Sequence, residues 1–311
     1  MHLTDRSEPA LLHLLAALDA SGYRFVTPTP ATQARVVARP DKRQARSLRD
    51  IFGWSLPFAP DLLPPPLLAQ MQEADLVTGR DGLLKSKVRV SSIGDRLFVH
   101  SAYPTEAEDA VFFGPDSYRF VDFVRAELLR AGKAARLVDI GAGAGVGALM
   151  AAPLLPGARI TLVDINPAAL RLARVNARHA GIDIETVEGG DLGDVSGLVD
   201  LVIANPPYII DAHERTYRDG GGMHGAQVSL DWALAAARRL ELGGRMLLYT
   251  GVAIVDGKDA LREALERDLP GLGCTLRYRE IDPDIFGEEL EKEPYADVER
   301  IAAVGAVVEK G

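Results

Sequence analysis

The sequence predicts an α/β fold with a mostly parallel sheet and a smaller N-terminal domain that combines helices with β-hairpins. From about residue 136 onward, apolar strands alternate with helices, which is the pattern of a parallel sheet covered on both faces. The first hundred residues instead contain short helices followed by hairpin-type turns. A chain of 311 residues is also long enough for two domains.

The N-terminal elements follow from the spacing of apolar residues. Leucines at helical spacing predict a first helix over residues 9–22, and shorter helices are predicted over 32–39, 44–54 and 67–74. Residues 76–103 alternate polar with apolar side chains around the turn dipeptides Asp81-Gly82 and Gly94-Asp95. We therefore predict an N-terminal domain over residues 1–103 as a candidate for substrate recognition, a linker over 104–118, and a second domain over 119–311.

The second domain is predicted to contain seven strands. Five buried strands are predicted over residues 137–140, 159–164, 183–187, 198–204 and 245–250, with helices over 167–180 and 227–240 between them. Pro167 suits the first turn of its helix. Two further strands are predicted over residues 275–281 and 300–308.

Charge is distributed unevenly along the chain. The net charge is −9, yet residues 1–103 carry 13 Lys and Arg against 10 Asp and Glu. Six cations lie within about fifteen residues with Asp41 as the only acid between them, and three more follow: Arg35, Arg39, Lys42, Arg43, Arg46, Arg49, Lys85, Lys87 and Arg89. This pattern is typical either of a surface for nucleic-acid phosphates or of a solvated helix face.

Several classes of protein are disfavoured by composition. Cys274 is the only cysteine, so neither an internal disulfide nor a CxxC metal site can form. The six histidines show no metal-ligand spacing, and we predict no metal. No apolar stretch is long enough to cross a membrane, and the polar N-terminus does not resemble a signal peptide. A cytoplasmic protein is expected.

A glycine-rich turn predicts a cofactor site. Gly141-Ala142-Gly143-Ala144-Gly145 follows a strand and opens a helix, so the backbone can approach a ligand and offer N–H groups. Nicotinamide, flavin and S-adenosylmethionine binders share such turns. The spacing GxGxG, rather than GxGxxG, favours S-adenosylmethionine over a dinucleotide.

Acidic residues at strand ends strengthen this prediction. Asp164 ends the second strand about 20 residues after the glycines, where an acid can accept hydrogen bonds from ribose hydroxyls. Asp139 precedes the glycine turn, and Asp191 follows the third strand, where it could meet an adenine amine. The alternative is that Asp164 and Asp191 are ordinary strand-end acids. The neighbours Ala142, Ile165 and Leu192 complete this part of the predicted site.

The motif Asn205-Pro206-Pro207-Tyr208 directly follows the fourth strand and predicts the reaction. Ligands of open parallel sheets bind at this carboxyl end. The two prolines produce a rigid turn, so the Asn205 side-chain oxygen and the Pro206 carbonyl could accept both hydrogens of a planar NH₂ group. Tyr208 could stack on that group. We therefore predict methylation of a planar nitrogen, with Asn205, Pro206, Pro207 and Tyr208 as catalytic residues and Asn205 also near the cofactor.

From about Phe112 to the C-terminus, the chain resembles the class I S-adenosylmethionine-dependent methyltransferases with an NPPY motif. The resemblance rests on VDIGAGAGVGAL, TLVDINPAAL and DLVIANPPYI. It implies a Rossmann-like seven-stranded sheet, target contacts from Asn205 to Tyr208, and S-adenosylmethionine contacts from Gly141, Gly143, Asp164 and Asp191. In similar enzymes the segment matching residues 111–118 folds over the cofactor, which implies cofactor contacts from Phe113 and Tyr118. Both could equally be core aromatics.

Two branches of this family share the motif. One methylates glutamine amides of release factors or ribosomal proteins, and the other methylates exocyclic amines of adenine or guanine. The N-terminal region does not resemble the five-helix domain of the release-factor enzymes, so a protein substrate does not follow. It is more similar to the extra domain of bacterial methyltransferases with a small catalytic domain. A macromolecular substrate is expected, with RNA or DNA slightly favoured by the basic N-terminal residues.

The roles of two later segments are open, and two other functions of the chain are considered as alternatives. The glycine-rich loop over residues 217–225 places Arg218 and His224 either near the substrate or in a solvated hinge. Glu288, Glu289, Glu291 and Glu293 form an acidic loop that is expected to be solvated. A nicotinamide-dependent oxidoreductase could use the same glycine turn but leaves the Asn-Pro-Pro-Tyr motif unexplained. A non-catalytic S-adenosylmethionine-binding module is the other alternative.

Overall fold

The computed structural model of this chain describes residues 7–105, 107, 109–130, 133–210 and 219–311. Their contacts form two compact units. The first unit contains Met1–Arg119, Gly143–Leu149 and Asn166–Asp183, and the second contains Phe120–Ala142, Met150–Ile165 and Ile184–Gly311. The predicted boundaries after residues 103 and 118 stay a prediction.

The N-terminal elements of the first unit agree closely with the predicted helices and hairpins. Its helices are α1 (Ser7–Ala20), α2 (Pro30–Val37), α3 (Leu48–Phe52), α4 (Pro65–Glu73) and α7 (Pro167–Ala180). Its strands are β1 (Val77–Arg80), β2 (Leu83–Ser86), β3 (Val88–Ile93) and β4 (Arg96–Ser101), which pair as two antiparallel hairpins. Helix α5 (Pro115–Arg130) starts in this unit, and α6 (Val146–Ala151) lies largely within it.

One buried asparagine connects α7 to the N-terminal strands of its own unit. Asn176 accepts a hydrogen bond from the backbone N–H of Val99 at 2.8 Å and donates to the carbonyl oxygens of Val99 at 3.1 Å and Ala144 at 2.9 Å. The amide thereby satisfies backbone groups that would otherwise be buried without partners. This explains why a helix predicted to cross over between two sheet strands groups with the N-terminal unit.

The second unit is built on a single large sheet. Its strands are β5 (Arg136–Ile140), β6 (Arg159–Asp164), β7 (Glu185–Glu188), β8 (Val199–Ala204), β9 (Leu240–Val255), β10 (Lys258–Asp259), β11 (Cys274–Asp282) and β12 (Arg300–Lys310). The order is β11-β12-β9-β8-β5-β6-β7, with the short β10 added to β9. Strands β5 to β9 pair in parallel, whereas β10, β11 and β12 are antiparallel. The predicted mostly parallel α/β fold is confirmed.

Helices of the second unit cover both faces of its sheet. Helices α8 (Gln227–Arg239) and α9 (Ala260–Asp268) pack on one face with the even-numbered residues of β12. On the opposite face, Phe123 of α5 lies so close to Gly305 that a Cβ there would be 2.6 Å from the ring. Residues alternate between the two faces along a strand, so odd and even positions of β12 serve different helices.

Several elements differ from the sequence prediction, which contained neither helix α5 nor the short strand β10. Helix α9 was not predicted, because its charged residues give it a low mean hydropathy and only Leu261, Ala264 and Leu265 are buried. Strand β9 extends to Val255, beyond the predicted end at residue 250, because its last residues pair with β12 and β10. In the described part of the chain, no helix is both long enough and apolar enough to cross a membrane.

Candidate active site

The parallel strands of the second unit end level with one another and so bring the predicted residues to one edge of the sheet. Ile140, the last residue of β5, pairs with Val163 of β6 on one side and with Ala204 of β8 on the other. Gly141 and Asn205 directly follow two of these strand ends, and Asp164 ends the third. The glycine turn, the acid and the Asn-Pro-Pro-Tyr motif therefore start from neighbouring strand ends.

The glycine turn has the backbone that its sequence predicts. Gly141, Gly143 and Gly145 all have positive φ angles, 65°, 53° and 77°, which L side chains rarely adopt. Gly141 also contacts α8, since a Cβ there would lie 2.7 Å from Trp232 Cη2. The backbone N–H of Ala142 donates to the carbonyl of Val163 at 3.1 Å. Glycine is required at position 141 for both conformation and space.

Asp139, Asp164 and Ile165 form the part of this edge suited to a nucleoside. Asp139 is 1% exposed and Asp164 is 8% exposed. Ile165, directly after Asp164, is 58% exposed despite its apolar side chain. An acid can bind ribose hydroxyls, and an exposed apolar side chain beside it offers a surface for a base. These residues fit S-adenosylmethionine, although their individual contacts stay a prediction.

Asp191 and Leu192 differ in their surroundings. Asp191 is exposed, and its Oδ1 accepts a hydrogen bond from the backbone N–H of Gly193 at 2.5 Å. This contact is the turn that aspartate commonly makes with its own backbone, and it leaves the second carboxylate oxygen for a ligand. Leu192 is 2% exposed and belongs to the apolar core under α8. The predicted adenine contact of Asp191 stays a prediction.

The Asn205 side chain has an unsatisfied acceptor. Its Oδ1 is buried and accepts no hydrogen bond from any described residue. Pro206 is buried and Tyr208 is 8% exposed, so the turn is held inside the second unit rather than projecting into solvent. Buried polar atoms without partners are rare and costly, and they mark positions where a ligand can bind.

Glycines remote in sequence surround Tyr208. A Cβ at Gly251, on β9, would lie 2.5 Å from Tyr208 Cε2, so the ring packs directly on the strand backbone. A Cβ at Gly225 would lie 2.7 Å from the Tyr208 carbonyl carbon. Gly225 belongs to the glycine-rich loop, but the role of Gly251 was not predicted. Its only sequence signal is a glycine inside a buried strand.

The segment between β11 and β12 adds two aromatic residues that sequence reasoning missed. The Phe286 ring lies 5.9 Å from the Tyr208 ring, centroid to centroid, at 68° between planes. Phe286 has a φ of 54°, which is uncommon for a bulky residue. Tyr295 is 1% exposed, and its hydroxyl accepts a hydrogen bond from the backbone N–H of Ile210 at 2.8 Å. This segment therefore contacts both Tyr208 and the residues just after it.

The acidic loop expected to be solvated is partly buried. It forms two short 3₁₀ turns over Gly287–Glu291 and Glu293–Tyr295. Glu289 is 2% exposed and pairs with Lys292 at 2.5 Å. The expectation was wrong for Glu289, because this turn packs inward, whereas Glu288, Glu291 and Glu293 are exposed.

The glycine-rich loop is described only from Asp219 onward, and the predicted residue Arg218 lies outside the described residues. Asp219 pairs with Ile209 in a short parallel bridge. Met223 and His224 both have positive φ angles, 55° and 51°. His224 Nε2 lies 3.1 Å from Asp297 Oδ1, which connects this loop to the segment between β11 and β12. The contact occupies one nitrogen of the His224 imidazole.

Phe113 and Tyr118 lie in an aromatic cluster of the first unit. The Phe113 ring stacks on His100 with centroids 4.8 Å apart and meets Tyr118 edge-on at 5.4 Å. The Tyr118 hydroxyl accepts a hydrogen bond from the backbone N–H of Thr27 at 3.0 Å. Both residues pack as core aromatics of their unit, and their predicted cofactor contacts stay a prediction.

Among the described residues, no group of histidine, cysteine and acidic side chains could hold a metal ion.

Comparison with known proteins shows which proteins this chain resembles. Residues 121–250 match the family model described as the methyltransferase small domain. The release factor glutamine methyltransferase of Deinococcus radiodurans is 34% identical over 167 residues, which cover 52% of this chain and 59% of that protein. A 4-amino-L-phenylalanine/4-methylamino-L-phenylalanine methyltransferase of Streptomyces pristinaespiralis is 36% identical over 136 residues, which cover 40% and 47% of the two chains.

A third relative acts on RNA by its name. Ribosomal RNA small subunit methyltransferase C of Serratia proteamaculans is 37% identical over 73 residues, which cover 24% of this chain and 21% of that protein. The matches thus span 59% or less of each relative. Together with the fold, they agree with the predicted resemblance to S-adenosylmethionine-dependent methyltransferases.

Proposed function

We propose that this chain transfers the methyl group of S-adenosylmethionine to a planar NH₂ nitrogen. The observation that carries the proposal is the buried Asn205 Oδ1, which accepts no hydrogen bond from the described residues and directly follows β8. An NH₂ donor at this position would satisfy the oxygen, and the gain would depend on a hydrogen-bond donor being present. Because the Pro206 carbonyl offers a second hydrogen-bond acceptor, the pair suits a group with two N–H hydrogens, an amide or an exocyclic amine, better than a hydroxyl group with one or a carbon with none.

The side chains near Asn205 suit a flat group. Tyr208 and Phe286 meet nearly at right angles, so one ring can stack on a planar acceptor while the other touches its edge. The Pro206 carbonyl, held by the rigid turn, is the second acceptor for the NH₂ hydrogens. Holding both hydrogens in the plane directs the nitrogen lone pair along one line.

S-adenosylmethionine would supply an electrophilic methyl group on a sulfonium. Gly141 and Ala142 would hold it through the backbone, Asp164 would accept hydrogen bonds from the ribose, and Ile165 would pack on the adenine. Transfer would break the S–CH₃ bond and form the N–CH₃ bond, leaving neutral S-adenosylhomocysteine and a cationic nitrogen whose acidic proton passes to water. Asn205 would therefore act by orienting the nitrogen, and no strong base is required. The proposal includes the cytoplasmic location predicted from a single cysteine, Cys274, which is buried.

Two substitutions test the two halves of the site. Asp164→Ala should abolish measurable S-adenosylmethionine binding in calorimetry, whereas Asp61→Ala, an exposed acid of the N-terminal unit, should bind normally. Asn205→Ala should reduce methyl transfer at least about a hundredfold with nearly unchanged cofactor affinity, because only the NH₂ group that receives the methyl group loses its orientation. Asn205→Asp retains acceptor oxygens and should keep part of the activity.

The acceptor itself can be found with radiolabelled S-adenosylmethionine in a cell lysate. The label should enter macromolecules and should be removed either by nuclease or by protease. The relatives differ in the same way, since one is named for a release factor glutamine and another for ribosomal RNA. Absence of cofactor binding by the wild-type protein, or full activity of Asn205→Ala, would refute the proposed function.

A further inference from the structure

A group of exposed arginines in the first unit is not used by the methyl-transfer site. Arg35 lies on α2, Arg49 lies on α3, and Arg39, Arg43 and Arg46 lie in the short segment between these helices. All five are exposed. We call these five residues the basic surface.

The basic surface lacks neutralising carboxylates. None of its arginines forms an ion pair with a described residue, whereas exposed arginines elsewhere do, for example Arg159 with Glu185 at 2.8 Å and Arg262 with Glu266 at 2.8 Å. Solvated helix faces usually mix both signs and gain from such pairs. Asp41 is the only exposed acid between these arginines along the chain, so the positive charges repel one another and an anionic partner would relieve that repulsion.

The one buried acid nearby is already engaged. Asp50 lies 2.9 Å from Lys42 Nζ and accepts hydrogen bonds from the Arg46 backbone N–H and the Ser47 hydroxyl, both at 3.0 Å. Burial by itself raises the pKa of Asp50, but these hydrogen bonds outweigh it and lower the pKa. Asp50 therefore stays charged, balances Lys42 and holds the segment that carries the arginines.

A buried cation adjoins the basic surface. Arg89 is 4% exposed and donates to the Gly53 carbonyl at 2.7 Å and to Gln33 Oε1 at 2.9 Å, and it has no carboxylate partner among the described residues. Its guanidinium and that of Arg49 lie 5.4 Å and 5.9 Å from the centroid of the same Phe25 ring. Burial lowers the pKa of Arg89 to about 10, so it remains charged at neutral pH. Its charge adds to the positive potential of the surface.

We propose that the basic surface binds the phosphodiester backbone of a nucleic acid. Guanidinium groups bind phosphate oxygens in pairs of parallel hydrogen bonds, and arginine stays protonated throughout the physiological range. A backbone carries many phosphates and can therefore contact several of the five arginines at once, which a single small anion cannot do. If the proposed methyl transfer is correct, on which this step rests, the nucleic acid holds the acceptor NH₂.

Fluorescence anisotropy with a fluorescein-labelled RNA stem-loop tests this binding. The variant Arg35→Gln/Arg39→Gln/Arg43→Gln should bind at least about tenfold more weakly than the wild type. The slope of its log–log salt dependence should be shallower by about 0.7–0.9 for each phosphate that the variant no longer neutralises. The matched control, Arg125→Gln/Arg130→Gln/Arg238→Gln, removes three exposed arginines of the second unit and should bind like the wild type. A DNA duplex of the same sequence distinguishes RNA from DNA.

The inference would be overturned if the wild type bound neither RNA nor DNA, or if both triple variants weakened binding equally. It would also be overturned if the wild type bound poly-L-glutamate as tightly as RNA and the first triple variant weakened both kinds of binding to the same extent. This last result would assign the surface to an acidic protein. Circular dichroism confirms that each variant is folded. Calorimetry with S-adenosylmethionine on the same proteins separates the two proposals. If the wild type does not bind S-adenosylmethionine, the proposed methyl transfer is refuted, whereas the anisotropy measurements still decide whether the basic surface binds nucleic acid.

Discussion

At the scale of single residues, the position of Tyr208 depends on a glycine on another strand. The ring is 8% exposed and lies against the Gly251 backbone, and Phe286 meets it on another side. A buried ring with a glycine beneath it has little freedom to move, because protein interiors are close-packed. The orientation of the aromatic side chain therefore comes from β9 and from the segment before β12, as much as from its own motif.

Adding one methyl group at Gly251 should displace this ring. A Cβ there would be 2.5 Å from Tyr208 Cε2, so Gly251→Ala should lower the rate of methyl transfer at least about tenfold and destabilise the protein by about 1–3 kcal/mol. Gly271→Ala is the matched control, because a Cβ at Gly271 would meet no heavy atom within 4 Å in the described structure. Unchanged turnover by Gly251→Ala would mean that the ring does not position the acceptor.

His100 should make the stability of the protein depend on pH. It is 1% exposed, its Nε2 lies 2.7 Å from the Ser91 hydroxyl, and burial followed by the charge of Arg89 lowers its pKa well below 6.5. The unfolded chain then takes up a proton first as the pH falls. Stability present above pH ~6.5 is therefore lost below it, by up to about 1.4 kcal/mol per pH unit.

Urea unfolding at pH 7.5 and 5.5 measures this loss. The variant His100→Gln keeps a hydrogen-bonding group but cannot be protonated in this range, so its stability should change less between the two pH values. His179→Gln, a partly buried histidine of the same unit, serves as the control and should behave like the wild type. An identical pH dependence for His100→Gln and the wild type would rule out the histidine as its source.

At the scale of elements, an ion pair joins α5 to β11 within the second unit. Glu127 on α5 has a side chain that is 2% exposed, and it pairs with Arg277 on β11 at 2.6 Å. A buried carboxylate depends strongly on its partner, because no water replaces the missing hydrogen bond. This pair, with Phe123 against Gly305, holds α5 on the sheet face opposite α8 and α9.

Removing the arginine should therefore destabilise the fold. Arg277→Gln leaves the Glu127 carboxylate without its cation, and we expect the free energy of unfolding to fall by about 1–3 kcal/mol, less than for a fully buried pair because Arg277 is half exposed. Arg262→Gln breaks an exposed pair with Glu266 and should cost about 0.5 kcal/mol or less. Chemical denaturation compares the two, and equal losses of stability would show that burial of Glu127 has no effect.

At the scale of the whole molecule, the net positive charge and the predicted site residues lie in different parts of the chain. Residues 1–103 have a net charge of +3 within a chain of net charge −9, and the five arginines of the basic surface lie in that part. The predicted site residues from Asp139 to Tyr208, apart from Gly143, lie in the second unit. One fold can use the same chemistry on different acceptors when a separate surface selects the partner.

The sequence by itself determined the α/β class, most element positions and which predicted site residues lie at one edge of the sheet. Gly141, Asp164 and Asn205 could be predicted because each directly follows or ends a strand, and parallel strands end at one edge of a sheet. The glycine turn itself was predicted, and its positive φ angles are conformations that glycine adopts readily.

Only the tertiary structure decided which residues surround Tyr208. Gly251, Phe286 and Tyr295 lie 43 to 87 residues from Tyr208 along the chain, and no local pattern reveals contacts over such separations. The same holds for α9, whose buried face is too narrow to stand out in sequence, and for Asn176, which joins α7 to N-terminal strands. Short-range conformation follows from neighbouring residues, whereas these contacts arise when distant elements pack into one core.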